Sequence, residues 1–211
     1  MSLSALASAF ALGIVLASSP GPVQAVLLAE AARGGWRRGA AAMLGANATL
    51  AALLLALAGG VALVAPTGSA ARLIRLGGGT FLLFLAADTW RGAWRGPRGA
   101  VPGRRDAARG GLPPGPRGVL AVLLNPGAWI FLATTAAALM TNAMRRGGRP
   151  LAFLTAGAIV AGVALIDGAF VLLGAEGRSR LGEWSSRLSY VLAAALGVLG
   201  VFFMVSAALT S

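Results

Sequence analysis

The chain reads as an all-α membrane protein: six transmembrane helices in two inverted three-helix repeats, with helices 1 and 4 broken. Three observations carry this. Hydrophobic residues make up 57% of the 211 residues, charged residues only 11%, and mean hydropathy is +0.80. Apolar runs long enough to cross a bilayer, about 20 residues each, alternate with arginine-bearing connectors. Pro20-Gly21 and Pro126-Gly127 lie 106 residues apart (126 minus 20), close to half the chain, and each interrupts the first apolar run of its half. The expected organisation is one transmembrane domain, residues 1–211, with repeat one at 1–90, a linker at 91–118 and repeat two at 119–211.

The first span, Leu3 to Ala32, contains Ser18-Ser19-Pro20-Gly21-Pro22. In hydrocarbon every backbone N–H and C=O needs a partner, so a plain helix has no use for such a break. Each proline removes an N–H and displaces the carbonyl four residues earlier. The helix restarts at Val23 with Ser19 suited to a cap and a proline to the first turn. Its positive N-terminal end then lies at membrane depth, where a broken helix meets the anionic part of a solute and the freed carbonyls meet the cationic part. A kink used only for packing is the alternative. Met1 to Leu6 carries no basic residue, which makes the segment a poor signal peptide.

The second span runs from Gly39 to Val64, with Asn47 and Thr49 its only polar side chains. The third, from about Arg72 to Asp88, carries Gly77-Gly78-Gly79, which permits close helix contact. Of the 28 residues from Arg91 to Gly118, 20 are Arg, Gly or Pro, a composition that buries no core and reads as a linker. The fourth span, Val119 to Met140, is broken at Asn125-Pro126-Gly127. The fifth runs from about Leu151 to Leu173 and the sixth from Leu188 to Leu209. Because each half holds an odd number of spans, the second repeat enters upside down and the two breaks meet near the midplane.

The connectors after spans one, three and five carry 3, 7 and 3 arginines, against 2 and 3 after spans two and four. The odd connectors are therefore expected to be cytoplasmic and both termini external. Trp36, Trp90, Trp94 and Trp184 fall in or beside those connectors, where an interfacial belt is expected. The net charge of +12 is expected to meet anionic lipid headgroups; scattered arginines argue against nucleic acid. With neither cysteine nor histidine, disulfides and thiolate or imidazole metal sites are excluded, and no cofactor or metal is expected. A nucleophile–base pair or paired carboxylates cannot be assembled either, so an enzyme is not expected.

Of six acidic residues, Asp167 alone lies within a span, roughly 7 Å to the cytoplasmic side of centre at 1.5 Å per residue. An intramembrane carboxylate marks an ion or substrate path by default, so Asp167 is the candidate proton carrier or ammonium partner. Pairing with Arg178 or Arg180 is the competing reading. Glu30, three residues before Arg33, and Asp88, three before Arg91, read as helix-end ion pairs; Glu30 as a cytoplasmic gate is the alternative. Around the breaks, Ser18, Ser19, Pro20, Gly21, Pro22, Asn47, Asn125, Pro126 and Trp129 form the candidate substrate site. Asn125 either caps the following half-helix or faces a substrate. Trp129 either lines the cavity or packs.

Ser19-Pro20-Gly21-Pro22, then Arg33-Gly34-Gly35 with Arg37-Arg38-Gly39, then Leu76 to Leu85, then Leu124-Asn125-Pro126 together resemble the LysE/RhtB family of amino-acid exporters across nearly the whole chain. The resemblance implies export of amino acids or similar small solutes from the bacterial cytoplasm by a six-span, two-repeat inner-membrane carrier driven by protons. Three positions depart from the family pattern: Gly127 stands where a lysine often follows Asn-Pro, Phe81 where a tyrosine is common, and span two has Asn47 and Thr49 without an acid. A zwitterion suits the site, its carboxylate toward the half-helix N-termini and its ammonium toward carbonyls and Asp167. Inorganic-cation export and a non-transporting assembly role remain the alternatives. Glycine faces could pack helices within one chain or in a homo-oligomer.

Overall fold

Proline and glycine set the helix boundaries. The computed structural model describes residues 3–19, 21–61, 67–94, 112–180 and 184–209. Helix α1 spans Leu3–Ser18, and α2, Pro22–Gly34, follows with Pro22 in its first turn and extended Gly21 (φ −144°, ψ −170°) before it. Gly35 ends α2 at φ 74°, a conformation that favours glycine. Helix α3, Trp36–Ala58, stops at Gly59 and Gly60; α4 is Gly68–Trp94. After α5, Pro114–Leu123, the chain re-enters helix at α6, Pro126–Phe131, and passes through a π turn, Leu132–Ala136, into α7, Ala137–Arg180. Gly147 and Gly148, the latter at φ 65°, ψ −164°, interrupt α7 just before Pro150. Helix α8 is Trp184–Leu209.

Four helical runs are long and apolar enough to cross a membrane: Trp36–Ala58, Gly68–Arg91, Pro126–Gly177 and Tyr190–Leu209. The pair Ser4–Ser18 and Pro22–Gly34, bent by 69°, supplies a fifth. The run Pro126–Gly177 is 52 residues long, about 78 Å of helix against a hydrocarbon core of about 30 Å, and it turns at Gly147-Gly148. Apolar side chains such as Leu44, Val198 and Phe202 stand exposed on the outer faces, as a bilayer solvent allows. No strand occurs among the described residues.

The fourth apolar segment begins at Pro114, not Val119, so the last five residues assigned to the linker are helical. Proline is at home in a first helical turn, where its missing N–H costs nothing, and Arg117 is held there by ion partners described below. Residues 95–111 of that linker, and Pro20, lie outside the described residues.

The first half of each broken span crosses a helix from the other half of the chain at backbone contact. Helix α1 lies on α7, where Gly13 faces the Ile159 carbonyl and Gly162 faces that of Phe10. Helix α5 lies on α3, where Gly118 faces the Ala42 carbonyl and Gly45 that of Gly115. A side chain at any of these glycines would strike backbone, so small residues permit the approach. Helices α4 and α8 form the third pair, with Gly79 of the predicted glycine face against the Gly200 carbonyl. Leu50, Leu54, Phe131, Leu132, Met140 and Ile159 fill the largest apolar core.

Candidate functional site

The bend between α1 and α2 and the break between α5 and α6 face one cavity of about 250 Å³. Ser19, Gly21, Pro22, Val23 and Gln24 come from the first break; Asn125, Gly127 and Ala128 from the second; Asn47 from α3 and Asp167 from α7. Leu16, Leu50, Val122, Phe131 and Val163 supply apolar wall. The size is below the roughly 300 Å³ at which drug-sized pockets begin, and fits a small solute.

Asp167 is 1% exposed, and two amides satisfy it. Asn47 Nδ2 donates to its Oδ2 at 3.1 Å, and Gln24 Nε2 to its Oδ1 at 3.4 Å. Each amide comes from a helix of the first half, so the carboxylate ties the halves together at the cavity. Among the described residues lining the cavity, none is basic. The Asn47 Oδ1 atom is buried with no partner, leaving an acceptor beside the carboxylate for a donor that enters. No three His, Cys, Asp or Glu side chains gather as metal ligands among the described residues.

Several expected site residues reach the cavity, and others do not. Ser19, Gly21, Pro22, Asn47, Asn125 and Asp167 line it. Asn125 also caps: its Oδ1 accepts from Gly127 N at 3.0 Å. Ser18 is a correction, since its Oγ donates back to the Ile14 carbonyl of its own helix at 2.7 Å and does not line the cavity. Trp129 is another. Its indole Nε1 donates to the Leu123 carbonyl at 2.8 Å, bridging the two helices of the second break and satisfying a carbonyl whose helical donor, Gly127 N, is turned to Asn125 Oδ1. Pro126 opens α6 without lining the cavity. Pro20 lies outside the described residues. Thr134 likewise bonds a carbonyl within its own helix, Ile130 O.

Gln24 escaped the sequence reading. It is the only glutamine in the chain, two residues past Pro22 in an otherwise apolar turn, and that isolation was the available signal. Arg117 escaped it too, because it sat in a stretch read as linker.

Arg117 is the largest fully buried side chain among the described residues, at 1% exposure. Its Nη1 donates to Glu30 Oε1 at 2.7 Å, its Nη2 to Asp88 Oδ2 at 2.7 Å, and its Nε to the Leu112 carbonyl at 2.8 Å. Arg33 also reaches Asp88 at 2.7 Å and Glu30 at 3.5 Å, and Arg38 Nε donates to Glu30 Oε2. The expected Glu30–Arg33 pair is therefore present within a larger cluster. Asp88, expected to pair with Arg91, bonds Arg33 and Arg117 of neighbouring helices. A buried guanidinium is costly unless all its directions are satisfied, and Arg117 has partners on all three nitrogens.

Broken helices meeting at a small cavity, inside a chain of membrane-crossing helices, are the arrangement of a multi-pass membrane translocator. A family model described as LysE type translocator matches residues 14–207, nearly the whole chain, and the protein belongs to that family. No curated protein and no solved structure gave a match.

Proposed function

We propose that the protein is a secondary exporter of amino acids or similar small zwitterionic solutes, coupled to protons and resident in the bacterial inner membrane. The observation that carries this is Asp167: a carboxylate 1% exposed, fixed by two amides, facing a cavity with no basic residue in its described wall. A group so placed needs a proton or a cationic substrate group to balance it. The unpartnered Asn47 Oδ1 beside it adds an acceptor for an ammonium. Ser19, Gly21, Pro22, Asn47 and Asn125 complete the substrate site, with Asp167 as the proton-coupling residue.

Six spans in two inverted repeats accord with this reading. The matched crossings, α1 on α7 and α5 on α3, relate the first half of each broken helix to the second helix of the opposite half, as an inverted repeat would. The arginine excess on the odd connectors puts them in the cytoplasm and the termini outside, with anionic headgroups as lipid partners.

The test is mass-spectrometric quantitation of internal and external amino acids in dipeptide-fed cells carrying the intact protein or Asp167→Asn at equal membrane levels. One or a few amino acids should leave only with the intact protein. If no pool differs, amino-acid export falls and inorganic-cation export or an assembly role takes its place.

A further inference from the structure

Apolar and charged side chains flank the cavity in different places. Leu50 and Phe131 of the cavity wall continue into an apolar core with Leu54, Leu132 and Met140. Along α2 and α3 from the cavity toward the arginine-rich connectors, the packed apolar residues Leu27 and Ala42 come first and the charged residues Glu30 and Arg38 of the ion cluster after them. Counting residues back from the cavity, Gln24 to Glu30 on α2 is about 9 Å, Val122 to Arg117 on α5 about 7.5 Å, and Asn47 to Arg38 on α3 about 13.5 Å. The cluster therefore lies on the arginine-rich side of the cavity.

We propose that Arg117, held between Glu30 of α2 and Asp88 of α4, is the bolt of a gate that shuts the cavity from the arginine-rich face. The proposal rests on the translocation reading above and adds how the site is opened. Stability alone is a poor reason for the cluster, because buried ion pairs are often no better than well-packed apolar side chains. What the arrangement supplies is exchangeable partners. When Arg117 leaves, Glu30 still has Arg33 and Arg38, and Asp88 still has Arg33. Neither carboxylate is left buried alone, and the departing guanidinium enters the water that the opening admits. Two low-energy arrangements of one set of charges are what a two-state element requires.

Helix α5 is built to make that movement. It has 10 residues, ends at the Leu124-Asn125 break, and contacts α3 through Gly45 and Gly118, with backbone facing backbone. In the proposed opening, α5 slides or tilts about the break as a rigid arm. Arg117 sits one residue from the crossing glycine and moves with it.

The chain has no cysteine, so a single Val122→Cys, near-isosteric and in the cavity wall, reports access to the cavity. Inside-out and right-side-out membrane vesicles would be treated with a membrane-impermeant cationic thiol reagent, comparing Val122→Cys alone with Val122→Cys combined with Arg117→Gln, Arg117→Lys or Glu30→Gln. Arg117→Gln should raise the labelling rate from the arginine-rich face at least tenfold and leave the rate from the other face unchanged. Arg117→Lys, which keeps the charge but not the three-way geometry, should fall between. If Arg117→Gln does not insert, Arg117→Lys and Glu30→Gln carry the same expectation of a one-sided increase. Unchanged labelling in an inserted variant, or an equal rise from both faces, overturns the gate. The readout needs no known substrate, so an exporter screen that fails leaves it standing, and a gate that fails leaves export untouched.

Discussion

Gly118→Ala puts one methyl group at the crossing of α5 and α3. The added carbon would overlap the Ala42 carbonyl oxygen and press on Ala46 N, both backbone atoms with no side chain to give way. The helices must part, and overpacking of this kind costs about 1–3 kcal/mol. For a chain of this length each kcal/mol moves the melting temperature by about 2–4 °C, so the variant should melt about 2–12 °C lower. Gly157→Ala in α7 is the matched control, because nothing lies within 4 Å of the added carbon. There the change removes a flexible residue from a helix interior and should stabilise by about 0.5–1 kcal/mol, a rise of about 1–4 °C. Thermal unfolding followed by size-exclusion chromatography in one detergent reads both. Equal shifts for the two variants, or a rise for Gly118→Ala, would refute the backbone contact between α3 and α5.

Three further outcomes follow from the site. Asn47→Leu and Gln24→Leu each remove a donor from Asp167, and hydrogen bonds to charged groups contribute about 1.5–3 kcal/mol. Transport kcat/KM should fall roughly tenfold to a hundredfold at 1.4 kcal/mol per decade, more for Asn47 at 3.1 Å than for Gln24 at 3.4 Å; uptake into inside-out vesicles measures it. Trp129→Phe loses the bond to the Leu123 carbonyl and should lower stability by about 0.5–1.5 kcal/mol with transport KM unchanged, since the indole is not in the cavity wall. Asn125→Ala loses a helix cap worth about 0.5–2 kcal/mol, read as a lower melting temperature, and because Asn125 also lines the cavity its KM should rise as well.

The breaks were legible because proline and glycine act locally: Pro22 and Pro126 dictate where a helix can restart whatever surrounds them. The spans were legible because a bilayer demands long apolar runs. Asp167 stood out by the cost of a carboxylate at that depth. Its partners did not, since Asn47 and Gln24 are 120 and 143 residues from it in sequence, and only packing brings them together. Ser18 and Trp129 stay out of the cavity wall because each donates to a backbone carbonyl, Ile14 O and Leu123 O, and which carbonyl a side chain answers depends on rotamer and geometry that spacing does not encode. The composition of residues 91–118 averaged over a boundary. Arginine, glycine and proline read as linker, yet Pro114 and Pro116 start α5, and Arg117 is buried by acids 87 and 29 residues away.

Asp167 is the hinge of the functional account, and the most direct measurement is proton-driven efflux from proteoliposomes. Vesicles loaded with the labelled amino acid that the cell screen identifies would be diluted into acidic or neutral medium, with intact protein or Asp167→Asn reconstituted at equal density. An acidic exterior should accelerate efflux through the intact protein, because protons entering drive substrate out, and Asp167→Asn should abolish that acceleration. Efflux through Asp167→Asn that responds to the proton gradient as the intact protein does would contradict the account.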